Sequence, residues 1–314
     1  MRHNTLAAVM DYEDVQASPA SKTTGCEQVD VSRGEVALCL ILNHRTKAMR
    51  VIDFRAGSQP HKLDLLRDAA HKHGMERAFT VVEREESTTW ARMGFLKEGN
   101  IPGFYKRSDA YILGLDIEPP PAARSGTRIK ISGATGPEKA SADRAERAYQ
   151  ASRKVTRSAP ETLPKVNVAE AREQDIEKAF SHASKAGRVL TEMESFGRDV
   201  EKSQYLCTAR GGFSLLLGVE AQPCFDNAFV EALCAPRGDK ETWLTASSLE
   251  KICEQLVDEG IVSAFALSPA EAVELNAAYM KANFKRTGLL TNHLCINGQK
   301  ADAVLWSRRL AEPV

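Results

Sequence analysis

Apolar positions along the chain fall in short runs separated by polar turns, a rhythm of strands alternating with amphipathic helices. Val36-Ala37-Leu38-Cys39-Leu40-Ile41-Leu42 has the continuity of a buried strand, and Ala48-Met49-Arg50-Val51-Ile52-Asp53-Phe54, beyond the polar turn at 43–46, reads as its hairpin partner. Gly57-Ser58-Gln59-Pro60 ends that strand, and the helical spacing over 63–70 closes at Gly74. Residues 81–88 pass from strand into a helix carrying Trp90 and Met93, with Ser87 or a preceding acid as its N-cap. In the second half, 166–169 predicts a strand and 173–187 an amphipathic helix with Ile176, Ala179, Phe180 and Ala183 on one face. Residues 189–200 predict a second helix, broken at Gly197. The runs at 204–208 and 213–219 flank Gly211-Gly212 as a hairpin, followed by strand 228–234, helix 242–259, helix 269–283 and strand 289–296 with a hairpin turn at Asn297-Gly298.

One pattern occurs twice. Trp90 precedes Phe95 by five residues and Gly99 follows by four; Tyr279, Phe284 and Gly288 keep the same spacing. Ala78-Phe79 and Ala264-Phe265 lie in apolar runs ahead of the two helices, and Asp109-Ala110-Tyr111-Ile112-Leu113 and Asp302-Ala303-Val304-Leu305-Trp306 follow them. The ordered series argues for two copies of one strand-helix-strand-strand unit.

A helix ending in aromatic-x-x-x-(Gly/Asn)-Phe, a charged turn and two closing strands resembles the C-terminal half of the GNAT superfamily of N-acetyltransferases. Arg92-Met93-Gly94-Phe95-Leu96-Lys97-Glu98-Gly99, with Ile101-Pro102-Gly103-Phe104-Tyr105 and Asp109-Ala110-Tyr111, is similar to the tail of beta-lysine N-acetyltransferases. The resemblance implies an α/β (α+β) class with tandem acetyltransferase-like mixed sheets flanked by helices, the N-terminal copy truncated. The corresponding division is 1–34 as a loose leader with room for one strand, 35–116 as a partial N-terminal unit, 117–165 as a linker and 166–314 as the C-terminal domain.

Composition narrows the partners. Forty-two basic and forty-two acidic residues cancel, so no global charge recruits nucleic acid or a membrane surface. Seven cysteines without a CxxC pair suggest reduced thiols in a cytoplasmic protein, and there is no signal peptide or run of ~18 apolar residues. The 117–165 stretch has ten Lys/Arg against five Asp/Glu, but no aromatic platform to stack bases; with its prolines and glycines and few large apolar residues it reads as a solvated linker with an exposed helix. His71-x-His73 at a helix end reads as a capping pair rather than a metal site, and no metal is expected; His293 reads as an exposed polar position.

The resemblance further implies acetyl-CoA as cosubstrate and a small-molecule or protein amine as acceptor. The pyrophosphate would lie at a helix N-terminus, where backbone N–H groups are unpaired and the dipole is positive. In the first unit that turn is Gly57-Ser58-Gln59-Pro60-His61-Lys62, with Pro60 removing a donor. In the second it is Ala235-Pro236-Arg237-Gly238-Asp239-Lys240-Glu241, so Arg237, Gly238, Asp239 and Lys240 are the cofactor candidates, although Asp239 brings a negative charge and the family's second glycine is missing. Tyr279 stands where the family places the phenol that protonates the leaving thiolate; packing at a helix face is the plainer alternative. Asn276, one turn earlier, is the candidate for the pantetheine amide. Glu231, on the strand feeding the turn, is the candidate base. Trp90 replaces the Tyr in the first unit and reads as core. A non-catalytic acetyltransferase-like scaffold, binding a partner or sensing acyl-CoA, stays open beside the enzyme.

Overall fold

Polar turns at the predicted breaks divide the chain into strands and helices whose pairing order recurs. The computed structural model describes residues 25–55, 57, 59, 61–119 and 136–312; the apolar pattern at Leu6-Ala7-Ala8-Val9-Met10 and Pro60 of the first turn lie outside the described residues. The first half comprises β1 (Cys26–Arg33), β2 (Val36–Asn43), β3 (Ala48–Asp53), α1 (Lys62–His73), β4 (Arg77–Val82), α2 (Arg84–Arg92), β5 (Leu96–Ile101) and β6 (Ala110–Asp116). After α3 (Gly136–Arg157) come β7 (Asn167–Glu170), α4 (Glu173–Lys185), β8 (Glu201–Ala209), β9 (Phe213–Gln222), β10 (Asn227–Ala232), α5 (Gly238–Asp258), β11 (Ser263–Pro269), α6 (Val273–Lys281), β12 (Lys285–Ile296) and β13 (Gln299–Arg309).

The fold is mixed α/β: these thirteen strands form one sheet in the order β1-β2-β3-β4-β6-β5-β12-β13-β11-β10-β9-β8-β7, flanked by the six helices. Most neighbours are antiparallel, and each half holds one parallel pair, β3 with β4 and β10 with β11, joined through α1 and α5 respectively. In each half the last strand slots between the two before it, β6 between β4 and β5, and β13 between β11 and β12. Read outward from the β5–β12 junction, the order is therefore the same in both directions. Among the described residues the first half has no counterpart of β7 and α4.

The junction itself is a pairing of glycines. Gly99 of β5 sits opposite Gly288 of β12. Each strand bulges at the residue just before its glycine, between Lys97 and Gly99 and between Arg286 and Gly288, which turns both strands toward one another. A Cβ on Gly288 would come 2.6 Å from the Glu98 carbonyl oxygen and 2.7 Å from the Gly99 Cα, and one on Gly99 would come 2.8 Å from a Leu305 methyl. Neither position has room for a side chain.

Trp90 and Tyr279 occupy matching places. Trp90 meets Phe95 edge-on at 4.9 Å, and Tyr279 meets Phe284 edge-on at 5.3 Å, each pair plugging the end of a short helix onto its half of the sheet. A further core at the junction draws on both halves, with Phe79 and Phe104 from the first and Phe196, Phe229 and Phe265 from the second.

Two expectations change. Residues 189–200 are not helical: Val189 bridges Cys234, the Leu190 N–H donates to the Leu233 carbonyl, and Met193 and Asp199 have φ of 57° and 53°. The Thr191 hydroxyl accepts from the Met193 N–H at 3.0 Å and the Glu194 carboxylate from the Glu192 N–H at 3.2 Å, local bonds that compete with a helix. α3 is docked on α6 rather than left in solvent. Its contact face is small, with Ala145 and Ser152 buried, and Tyr149 lies 6.5 Å from the Trp306 ring. Ser141–Asp302 at 2.6 Å, Arg144–Glu271 at 3.0 Å and Arg286–Glu146 at 2.9 Å fasten it. Small residues let two helices approach closely, so a search for large apolar residues overlooks this face. Of the two N-cap alternatives for α2 the preceding acid holds: Glu83 is the N-cap, and the Ser87 hydroxyl donates to the Arg84 carbonyl inside the first turn.

Since Gly288 has no space for a Cβ, Gly288→Ala should lower stability by about 1–3 kcal/mol, the usual cost of overpacking, seen as a drop in the urea midpoint. An unchanged midpoint would show that the strands part easily at this point.

Candidate functional site

Parallel neighbours in this sheet do not stay paired along their length. β10 is hydrogen-bonded to β11 only where Asn227, Ala228 and Phe229 face Ser263, Ala264 and Phe265; beyond that the two strands carry no ladder. A cavity of about 90 Å³ opens at this parting, bordered by Glu231 and Ala232 of β10 and by Leu267 and Pro269 of β11. Its other walls come from the β2–β3 hairpin of the first half (Asn43, Arg45, Thr46, Arg50), the 190–196 segment and His293 of β12. Both halves thus build it.

Five ionisable groups line this space. The Glu231 carboxylate accepts a hydrogen bond from the Thr191 hydroxyl at 2.7 Å and has no cationic partner within ion-pair distance among the described residues. Burial, opposed by the Thr191 bond and reinforced by the charges of Glu220 and Glu194, pushes its carboxyl up to about 8. Glu194 differs: burial favours its protonated form, but the forked Arg45 guanidinium bonded to both its oxygens outweighs burial and holds it below the usual carboxylate range. Arg45 also donates to the Cys295 carbonyl. Arg50 is buried; its Nη1 donates to the Phe196 carbonyl at 2.6 Å, its plane lies 4.9 Å from the Phe196 ring, and burial brings it down to about 10. His293 is buried against the Phe79 ring at 4.7 Å, not exposed as its sequence context suggests, and burial together with the Arg77 charge lowers it to about 3, so the imidazole is neutral.

The 190–197 segment lies across the cavity as a strap. Arg45 and Arg50 hold it from the first half; Glu220 of β9 accepts from the Phe196 and Gly197 N–H groups at 2.9 and 3.0 Å from the second.

The other predicted residues are distributed differently. Arg237 is the N-cap of α5 and Gly238, at φ 64°, opens the helix with Asp239 and Lys240 exposed beside it. The Arg237 N–H is already taken by the Glu241 carboxylate at 2.8 Å, which also accepts from Arg188 at 2.6 Å. A Cβ on Gly238 would meet nothing, so the turn is open on that side. Asn276 is fully committed within the protein: its Oδ1 accepts from the Ser268 hydroxyl at 2.6 Å and its Nδ2 donates to the Ala270 carbonyl at 3.1 Å. Ser268 in turn accepts from Trp306 Nε1 at 2.7 Å. Asn276 therefore ties α6 to the end of β11 and is not free to hold a pantetheine amide in this arrangement. Tyr279 has no exposed surface; its ring stacks on Trp306 at 5.7 Å, and its hydroxyl has no hydrogen-bond partner. Burial, then the nearby Glu231 charge, raises its phenol well above the ordinary range.

In the first half a buried cation lies beside the matching parting of β3 and β4. Lys62 is buried with its ammonium on the Asp53 carboxylate, 2.6 Å from the Gly57 carbonyl and 5.5 Å from the Trp90 ring centre. The Gly57 turn thus faces a cation of its own chain. A larger cavity of about 450 Å³ beside it is lined by Asp53, Tyr105 and, from the other half, Gln222, Cys224 and Phe225 of the β9–β10 connection. Each half inserts a hairpin into a cavity of the other.

Sequence reading missed Thr191, Glu194, Arg45 and Arg50, and set His293 first on an exposed face. One signal was available: Arg50 interrupts an otherwise apolar strand, and a charge inside a buried strand calls for a partner.

No family profile matches the chain, and no curated protein matches it. Among solved structures it is similar to a protein described as a phosphinothricin N-acetyltransferase (18% identity, 47% of this chain and 100% of that one, TM-score 0.37). It is also similar to a spermidine N-acetyltransferase from Vibrio cholerae in complex with CoA and spermine (10%, 47% and 96%, 0.38). A Staphylococcus epidermidis protein described as an acetyltransferase matches at 9% identity over 47% of this chain and 100% of its own, with a TM-score of 0.38.

Glu231 gives the site a pH signature. Between the ordinary carboxyl value of 4.5 and about 8 the folded protein keeps a proton that the unfolded chain has released, so its contribution to stability falls as pH rises through that window and levels off above it. Glu231→Gln removes the titrating group, so the wild-type-minus-variant stability difference should fall between pH 5 and pH 8: the variant gains on wild type as pH rises. Parallel urea-denaturation curves at all pH values would contradict the assignment.

Proposed function

We propose that the C-terminal half transfers an acyl group, acetyl being the simplest, from coenzyme A to an amine. The observation that carries this reading is Glu231: a carboxyl with no cationic partner, at the parting of two parallel strands, tuned near neutral pH where a general base works best. The likeness of fold to N-acetyltransferases, read first from the Tyr279-to-Gly288 pattern, points the same way.

Acetyl-CoA supplies the thioester; the chain's own groups would supply proton handling and orientation. Glu231 takes the proton from the amine as it attacks, and Thr191 fixes the carboxylate that receives it. The Tyr279 hydroxyl, a buried oxygen without a partner, is the donor that would protonate the departing thiolate. The fit is good at the open turn of Gly238 to Lys240; at Tyr279 it requires the ring, enclosed by Trp306 and Phe284, to become accessible. At Arg237 it requires the Glu241 carboxylate to give up the N–H it now occupies. The acceptor class is an amine, as a small molecule or on a protein.

A second reading, a non-catalytic scaffold that senses acyl-CoA or binds a protein partner, is favoured by the Glu241 contact and by the enclosure of Tyr279 between Trp306 and Phe284. Among the described residues no helix is long and apolar enough to cross a membrane.

Thermal shift with acetyl-CoA and desulfo-CoA tests the binding half of the proposal. A ligand at a hundred times its dissociation constant stabilises by about 2.7 kcal/mol, so both should raise the midpoint, and Arg237→Ala should weaken both. No shift at millimolar ligand would remove both the enzyme and the sensor readings.

A further inference from the structure

Buried polar groups in native proteins are paired, and an unpaired one calls for an explanation. Two side chains bordering the 90 Å³ cavity carry such atoms: Arg50, only 7% exposed, whose Nε finds no acceptor, and His293, 6% exposed, whose Nδ1 is also without a partner. Arg50 is also the buried guanidinium here without a carboxylate. Its neighbour Arg45 is matched to Glu194, whereas Arg50 makes no ion pair among the described residues and binds only the Phe196 carbonyl. Glu220 is close enough to influence it, but its carboxylate is committed to the Phe196 and Gly197 N–H groups and to Lys202. A desolvated guanidinium costs free energy unless an anion completes it.

On the same cavity Glu231 presents the opposite need, a carboxyl hydrogen-bonded to Thr191 that an ammonium group would ionise and pair with. A guanidinium without a counter-ion and a carboxyl without a cation thus border one small space. From this we infer that the cavity binds a small zwitterion, a molecule carrying a primary amine and a carboxylate, with its carboxylate on Arg50 and the His293 nitrogen and its amine on Glu231. The volume matches a compact molecule of a few heavy atoms, since a cavity of ~150 Å³ takes up benzene. The anion-binding group comes from the first half and the amine-binding group from the second, which gives the first half a part in substrate selection. The assignment deepens the acyl-transfer reading, since the amine held at Glu231 is the one that would be acylated. The binding itself needs no coenzyme.

The test uses the full-length protein without coenzyme A. Saturation-transfer NMR and calorimetry are run with the ω-amino acids glycine, β-alanine and γ-aminobutyrate, and with the primary amines and carboxylates that lack one of the two groups. At least one amino acid should bind about tenfold or more tightly than both of its single-charge counterparts, as expected for a charge-assisted hydrogen bond added to another. Arg50→Gln should reduce the amino acid to the affinity of the bare amine, and Arg50→Lys should restore part of the difference. Should Arg50→Gln not fold, the wild-type comparison decides alone. Equal binding of amine and amino acid, or no binding by any of them, overturns the assignment. Amino-acid binding without any acetyl-CoA-dependent consumption of that amino acid upholds this site and removes the acyl-transfer reading, so the two failures are separable.

Discussion

Two glycines facing each other across the β5–β12 junction set the geometry of the molecule. At Gly99 and Gly288 the strands approach until a single added carbon would collide with backbone, and a bulge before each glycine aims them together. That approach joins two half-sheets into one of thirteen strands and puts the first half's hairpin within reach of the second half's parted strands. Without the close crossing, Arg45 could not pair with Glu194 nor Arg50 hold Phe196, and the strap over the cavity would lose its anchors from the first half.

The consequence is an exchange between halves of like strand order and unlike interior. In the first, Lys62 lies between Asp53 and Trp90 as a self-contained ion pair, beside a cavity of about 450 Å³ that the parted strands β3 and β4 border. In the second, the corresponding space keeps a carboxyl raised to about 8 and a guanidinium without a counter-ion. Burial of both kinds is costly, and the second half retains the cost. Strongly displaced pKa values cluster at working sites more often than at structural ones, and that is the ground on which the proposed chemistry is put at this cavity.

Much of the strand-and-helix order was legible because it rests on local periodicity. The apolar run at 36–42 and the Gly211-Gly212 hairpin lie where spacing indicates. The segment at 189–200 was not legible, since Thr191 and Glu194 trade helical bonds for contacts with distant residues that spacing cannot reveal. The docking of α3 was hidden for a different reason: its face is built from Ala145, Ser152 and Tyr149 rather than from large apolar residues. Of the site, Glu231 lies on the cavity together with groups that pattern reading did not find. Tyr279 and Asn276 lie in the packed layer behind it, and Arg237 to Lys240 stand apart at the start of α5. Side-chain partners across long sequence separations, not element types, were the missing information.

The most direct measurement is release of the coenzyme A thiol from acetyl-CoA in the presence of an amine pool, followed from pH 6 to pH 9 in the wild type and in Glu231→Gln. With Glu231 as the base, thiol release should climb with pH to a plateau above about 8 and fall by ~10² to 10⁴-fold in the variant across that range. No thiol release at any pH, or a variant as active as the wild type, would contradict the assignment of acyl transfer to this cavity.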